Sequence, residues 1–442
     1  MTLTLTPHQQ DAHDALFDFL FRPPGAFVLT GSAGTGKTTL LRAICESLEE
    51  EDLAPRLLAP TGRAARVLRR RTGFDARTAH SHLYVPEPLK DRPGVRLVRK
   101  ADLGRRIDAL IIDEASMVAS RMPSDSQFLT AFALLDDLVD EALRNEAHLV
   151  FVGDPCQLPP VGEEHSVALR PDLLAERYGL TTGAVQLEEV MRQMEGSDVL
   201  IAATALRDAL SGRPAPAPDL PRLPHGDRAV RHYLETIESE PRTNGDVPRA
   251  VMLAYTNRTV FDLNRSVRAE LDLVRVLVPG DVVVTDRDAW AEGRLVPRAE
   301  TYVVEDVQPA PDFAGLHFAE VHLTSAADDL PDVAGLALLE TLLDPHGKLS
   351  PQQEMHLFSE AKRQNAVFRT SHLVWDDPFV SAIRLRYGHA LTVHKAQGGE
   401  WEHVYLDPFV PRAVQPAEAI RWRYTALTRA ACHCYLIGSS HL

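Results

Sequence analysis

Ala26-Phe-Val-Leu-Thr30, running directly into Gly31-Ser-Ala-Gly-Thr-Gly-Lys37-Thr38 and then into a helical stretch ending at Leu48, decides the fold. The apolar run predicts a buried strand, and Thr38 to Leu48 has helical spacing. Between them the pattern GxxxxGK[ST] is a glycine loop whose amides can turn inward on phosphate oxygens, backed by the positive end of a helix. Gly31, Gly34 and Gly36 let the loop bend, with Thr35 between the last two and Thr39 just past Thr38. Lys37 is the expected cation at the β- and γ-phosphates of ATP, and Thr38 the expected ligand of Mg2+. A flexible glycine turn is the alternative, and the strand-loop-helix context argues against it.

Working outward, the same beat recurs at Arg56-Leu-Leu-Ala59, Ala109-Leu-Ile-Ile112 and His148-Leu-Val-Phe-Val152. Continuous apolar strands alternating with helices imply a parallel sheet covered on both faces. A helix is expected from Gln9 to Phe21, broken by Pro23-Pro24-Gly25. A second series of strands starts at Val251-Met-Leu-Ala254 and resumes at Ala390 to Val393, Val404 to Leu406 and Cys434 to Ile437. Between Leu271 and His389 the character changes to short strands around turns, at Val276 to Val284 and Tyr302 to Val307, which reads as a small β-rich insertion. Arg213 to Pro224 is proline-rich and reads as a linker or exposed loop.

The 442 residues allow two or three domains, and 45% hydrophobic with 25% charged residues is an ordinary globular composition. No apolar run approaches a membrane span, and the first residues lack a secretory pattern, so a cytoplasmic location and no membrane partner are expected. Cys45, Cys156, Cys432 and Cys434 form no CxxC pair and read as reduced thiols. The net charge of −15 argues against a nucleic-acid partner until its distribution is considered. From Arg56 to Arg106 there are fourteen Lys or Arg against four Asp or Glu, a basic zone able to hold a phosphate backbone or, in the plainer reading, a solvated face.

Leu110-Ile-Ile-Asp113-Glu114 supplies carboxylates at a strand end: Asp113 for Mg2+ and Glu114 to orient and deprotonate the attacking water. Gly153-Asp154-Pro-Cys-Gln157-Leu-Pro-Pro160 follows another strand, and Gln157 there can touch both γ-phosphate and water, although the segment also reads as a rigid proline turn. Arg192 and Arg429 are candidates to neutralise transition-state charge, a role that requires a second domain to deliver them. Pro60 and Thr61, His80 and Ser81, then Thr392, His394, Lys395 and Gln397 place groups in loops after strands that can hydrogen-bond phosphates without reading bases. For His80 and His394 a structural histidine is the competing reading. Only six lysines occur, and Lys37 and Lys395 both fall inside motifs.

Taken in order, these segments resemble the superfamily 1 helicases of the B type, especially RecD-like and Dda-like members. Leu5-Thr-Pro-His-Gln9 looks like the adenine-recognising glutamine motif, Gly31 to Thr38 like motif I, Ala59 to Ala64 like motif Ia, and Thr78 to Ser81 like motif Ib. Asp113 to Ser116 looks like motif II, Gly153 to Pro160 like motif III, Leu187 to Gln193 like motif IV, Leu391 to Trp401 like motif V, and Tyr424 to Ala430 like motif VI. Tyr255-Thr-Asn257 with Leu263-Asn264 resembles the opening of a second domain in Dda-like enzymes.

The resemblance implies an α/β chain of two RecA-like P-loop domains with parallel sheets. The first comprises 1–76 and 107–190, with a small accessory insertion at 77–106 bearing a strand-separating hairpin, in which Tyr84 is the only aromatic residue. The second comprises 191–270 and 390–442, with an SH3-like β-rich insertion at 271–389. It also implies ATP-driven 5′ to 3′ movement on single-stranded DNA and at DNA forks, by a working monomer. Gln9, Gly399 and Glu400 would then lie at the nucleotide, Glu114 would be catalytic, and Arg192 and Arg429 would be arginine fingers. A nucleotide-controlled clamp or loading factor and an RNA-directed helicase are the alternatives.

Overall fold

The computed structural model describes residues 5–89, 95–101, 106–122, 128–129, 132–188, 197–214, 219–224, 226–239, 249–325 and 330–438. The chain divides into two compact units: Met1–Glu87, Arg96–Pro214 and Ile420–Thr425 form the first, and Pro88–Val95, Ala215–Ala419 and Ala426–Leu442 the second.

The first unit is built on a parallel sheet of six strands in the order Ala76–Thr78, Pro55–Ala59, Ala109–Ile112, His148–Gly153, Ala26–Gly31, Thr182–Leu187. The reason for the uninterrupted apolar runs is visible in how each strand divides its side chains. Ala26 and Val28 enter one core while Phe27 and Leu29 enter the other, and Leu110, Ile112, Leu149 and Phe151 separate likewise from Ala109, Ile111, Val150 and Val152. Successive residues face opposite layers, so a sheet covered on both sides needs apolar residues at every position. The outer strand Thr182–Leu187 is half-exposed, and its sequence carries no such run. Gly183 is fixed there by contact, because a Cβ would sit 2.7 Å from the Phe27 ring. The expected first helix runs Pro7–Leu20, capped by Thr6 and Gln9 in a reciprocal box.

Tyr84–Pro88 and Val95–Arg99 join Phe128–Leu129 in a small three-stranded sheet. Two side chains tie its base to the helix Leu134–Arg144. Tyr84 Oη donates to Asp137 Oδ2 at 2.5 Å, while Arg99 donates to Asp137 Oδ1 at 2.9 Å and Glu141 Oε2 at 2.6 Å. Tyr84 is only 4% exposed, so its ring is core and offers no stacking surface. The basic zone is paired in part. Arg77 pairs with Asp75, Arg96 with Glu87, Arg99 with Asp137, Asp140 and Glu141, and Arg106 with Asp108, so part of its charge is neutralised by carboxylates, some of them far along the chain.

The second unit contains a five-stranded parallel sheet in the order Arg222–Leu223, Ala430–Ile437, Trp401–Leu406, Ala250–Ala254, Ala390–Thr392. Its β-rich part is a closed barrel of Val282–Thr285, Thr301–Pro309, Phe318–Ser325, Val333–Leu338 and Ile383–Tyr387. Helices absent from the sequence reading, Pro351–Gln364 and Ala366–Ser371, pack on it through Leu357, Phe358, Ala361 and Phe368. The buried Arg268 guanidinium is paired with Asp281 and lies 4.4 Å from the Tyr387 ring, joining the helix Asn257–Glu270 to the barrel.

Arg99 is 19% exposed and bonds two carboxylates that are nearly sealed from water. Removing it strands those charges, whereas Arg96 and Glu87 are mostly solvated. Urea unfolding of Arg99→Ala is expected to show a loss of about 3–5 kcal/mol, and Arg96→Ala a loss of less than about 1 kcal/mol. Equal small losses would contradict the anchoring role.

Candidate nucleotide and strand-contact sites

The strand Ala26–Gly31 delivers the glycine loop to the amino end of the helix Lys37–Glu50. Gly31 lies opposite Leu187, and a Cβ there would stand 2.6 Å from Thr35 Oγ1 and 3.1 Å from Leu187 Cβ. Gly34 and Gly36 have φ of 80° and 76°, a conformation that L side chains seldom adopt. Gly36 caps the helix with no side-chain hydrogen bond, which leaves the first-turn amides for an anion. Lys37 Nζ folds back to donate to the Gly31 carbonyl at 2.8 Å and the Ser32 carbonyl at 3.0 Å. Thr35 Oγ1 donates to Ser32 O at 2.9 Å, and Thr38 and Thr39 occupy the first turn, partly exposed. Buried Gln9 bridges the helix start and the loop: its Oε1 accepts from the Thr6 amide at 3.0 Å and its Nε2 donates to Thr35 O at 3.2 Å.

Asp113 and Glu114 follow the strand Ala109–Ile112. Asp113 Oδ1 accepts the Glu114 amide at 2.9 Å, and Glu114 sits at φ 51°, a strained backbone for a residue with a side chain. Burial, then the neighbouring Glu114 charge, pushes the Asp113 carboxyl well above its ordinary value, with Lys37 and Arg71 opposing. Ser116 Oγ is buried without a hydrogen-bond partner. Beyond the strand His148–Gly153, Gly153 packs so close that a Cβ would lie 3.2 Å from the Ser116 amide. Asp154 accepts from Tyr424 Oη at 2.5 Å and from the Cys156 amide at 2.9 Å. Burial raises its pKa, with the Lys37 charge and these hydrogen bonds opposing the rise. Leu158 N–H donates to Thr425 Oγ1 at 2.9 Å. Gln157 is 5% exposed and its Oε1 has no partner, an unsatisfied acceptor in the loop that was expected to face phosphate and water.

The fit to Mg2+ and a nucleotide rests on three groups that the fold leaves unbalanced: a buried carboxylate unfavourable to ionise, an ammonium held only by carbonyls, and open helix amides. Mg2+ is commonly held by one or two carboxylates with substrate phosphates, and the Asp113–Thr38 set suits that mode.

Arg192 lies outside the described residues. Arg429 is buried and donates to Gly399 O at 3.2 Å and Thr428 Oγ1 at 3.1 Å. Glu400 is exposed. Arg207, which lies in none of the motifs, donates from Nη1 to Ser32 Oγ at 3.2 Å. Asp154 and Tyr424 each fall inside a motif read from the sequence, but their contact across 270 positions was not expected.

The strand-contact candidates fall at strand ends and helix caps. Pro60 is buried, and Thr61 caps the helix Gly62–Thr72 through the Ala64 amide. His80 lies 5.8 Å from the Tyr84 ring, and Ser81 is exposed on a short helix capped by Thr78. Thr392 caps the next such turn, Gln397 is buried, and burial draws the His394 imidazole below its ordinary value. Lys395 Nζ donates to Asp286 Oδ1 at 2.5 Å, so its ammonium is partnered within its own unit.

Because Asp113 has a folded pKa above its unfolded one, its ionised form costs stability once pH exceeds the unfolded value, and the full cost applies above the folded value. Nucleotide-free Asp113→Asn is therefore expected to melt about 2–4 °C above the parent at pH 8. The difference should shrink as pH falls toward 5, and a lower melting temperature at pH 8 would contradict it.

Two family models match the chain, an AAA domain over residues 4–214 and a UvrD-like helicase C-terminal domain over 387–437. The ATP-dependent RecD2 DNA helicase of Deinococcus radiodurans is 30% identical over 415 residues, covering 93% of this chain and 47% of the relative. The chain thus spans about half the length of that protein. The ATP-dependent DNA helicase dda of Enterobacteria phage T4 is 25% identical over 63% of this chain and 60% of its own. Among solved structures, the Pif1 helicase from Bacteroides in complex with ADP-AlF3 and ssDNA superposes with a TM-score of 0.52 at 17% identity, covering 100% of this chain and 93% of that one, a likeness of fold. In its parallel sheets, its phosphate loop and these matches, the chain is similar to the superfamily 1 helicases of the B type.

Proposed function

We propose that this chain hydrolyses ATP to drive itself 5′ to 3′ along single-stranded DNA and to open duplexes at forks, as a monomer in the cytoplasm. The observation that carries the reading is that the Lys37 charge acts on both Asp113 and Asp154, with the partnerless Gln157 carbonyl three residues after Asp154, all within one unit. In this proposal Lys37 and the loop amides bind the phosphates, and Thr38 and Asp113 hold Mg2+, which supplies charge neutralisation at the phosphoryl oxygens. Glu114 takes the proton of the attacking water, Gln157 positions that water, and Arg192 and Arg429 neutralise charge as the terminal phosphoryl leaves. Gln9, Gly399 and Glu400 complete the nucleotide contacts.

Pro60, Thr61, His80, Ser81, Thr392, His394, Lys395 and Gln397 are proposed to grip the DNA backbone, which makes binding largely independent of sequence. The three-stranded sheet based on Tyr84–Pro88 is read as the strand-separating element, and the five-stranded barrel as SH3-like. The names of the RecD2 and dda relatives support DNA as the track.

Steady-state ATP hydrolysis is expected to rise on adding single-stranded DNA, and Lys37→Ala to lower it by at least about 100-fold. On tailed duplexes at one salt concentration, a 5′ tail is expected to permit unwinding and a 3′ tail to fail. Full activity in Lys37→Ala would refute the site assignment, and the opposite tail preference would refute the direction.

A further inference from the structure

Two cations converge on one residue of the phosphate loop. Lys37 Nζ donates to the Ser32 carbonyl at 3.0 Å, and Arg207 Nη1 donates to the Ser32 hydroxyl at 3.2 Å. Arg207 comes from the helix Asp198–Leu210, within the same unit as the loop. Its Nε is buried without a hydrogen-bond partner. The same guanidinium lies close enough to Cys156, the neighbour of Gln157, to oppose the rise that burial imposes on that thiol. Arg207 is thus placed between the start of the phosphate loop and the loop that carries Gln157.

That placement is poorly balanced for a positive group. Like charges that share a small, partly desolvated volume repel, and a buried N–H without an acceptor forfeits its hydration. A serine hydroxyl is a neutral, single acceptor for a group with five donors in a planar fork. An anion with several oxygens would offset the repulsion with Lys37 and give the unbonded Nε an acceptor. Phosphate and carboxylate are the groups that a guanidinium fork fits best.

We propose that Arg207 is a phosphate ligand acting within the first unit, which exchanges the Ser32 hydroxyl for the terminal phosphoryl oxygens of bound ATP. It thereby discriminates triphosphate from diphosphate before either Arg192 or Arg429 acts. This rests on the reading of Gly31 to Thr38 as an ATP site. The ligand class is a nucleoside triphosphate, with the contact made to its last phosphate.

The test is equilibrium binding of ATPγS and of ADP, each with Mg2+, to the full chain and to Arg207→Gln and Arg207→Lys. For Arg207→Gln the affinity for ATPγS is expected to fall by about tenfold or more while that for ADP changes by less than about twofold. Arg207→Lys should recover part of the loss, since it restores the charge without the fork. Equal weakening of both nucleotides would assign Arg207 to propping the loop and overturn the proposal, as would unchanged affinities in both variants. Failure of the unaltered chain to bind either nucleotide would instead overturn the ATP-site reading on which this one depends.

Discussion

An ammonium folded onto the carbonyls of its own loop, Lys37 on Gly31 and Ser32, is the contact on which the proposed nucleotide site depends. It exists because a largely buried strand stops at Gly31, two glycines take left-handed backbone, and a helix begins with no side chain capping its amides. Each condition is a property of the sheet and its first connection. Around this cation the fold gathers the carboxylates Asp113 and Asp154, both driven toward protonation by burial and both drawn back by Lys37. Positive and negative groups are thereby held near one another with incomplete satisfaction, and that condition favours a charged ligand over water.

The loop that follows Gly153 extends this logic. Asp154 is fastened by the Tyr424 hydroxyl, whose own ionisation is suppressed by burial and by the Asp154 charge, so it remains a donor. The Thr425 hydroxyl receives the Leu158 amide. A late segment of the chain therefore frames the turn that presents Gln157. In the second unit the same economy appears at Lys395, whose ammonium is held by Asp286 on the chain leading from the barrel strand Val282–Thr285.

Much of the first sheet was legible because strands buried on both faces must be apolar throughout: Ala109 to Ile112 reads as a strand in any frame. The strand Thr182–Leu187 was not, because an edge strand half in water needs no such run. The helix Pro351–Gln364 carried a readable start, with Ser350, a proline and Gln353 forming a capping box, yet the surrounding short strands masked it. Site residues inside loops of fixed pattern could be named from spacing alone. Arg207 could not, and neither could the contact of Tyr424 with Asp154, since each is made through tertiary structure across a long span of sequence. The pairing within the basic zone was hidden for the same reason: Arg99, on a strand, is answered by Asp137 and Glu141 from the helix Leu134–Arg144.

In the proposed function, chemistry at this site becomes directed travel. Displacement of streptavidin from biotinylated single-stranded oligonucleotides measures that travel without any duplex to unwind. With ATP and Mg2+ the chain should strip streptavidin from the 3′ end and leave the 5′ end occupied, and with ATPγS it should strip neither. Hydrolysis of ATP with no displacement from either end would contradict the account and leave a nucleotide-driven clamp in its place.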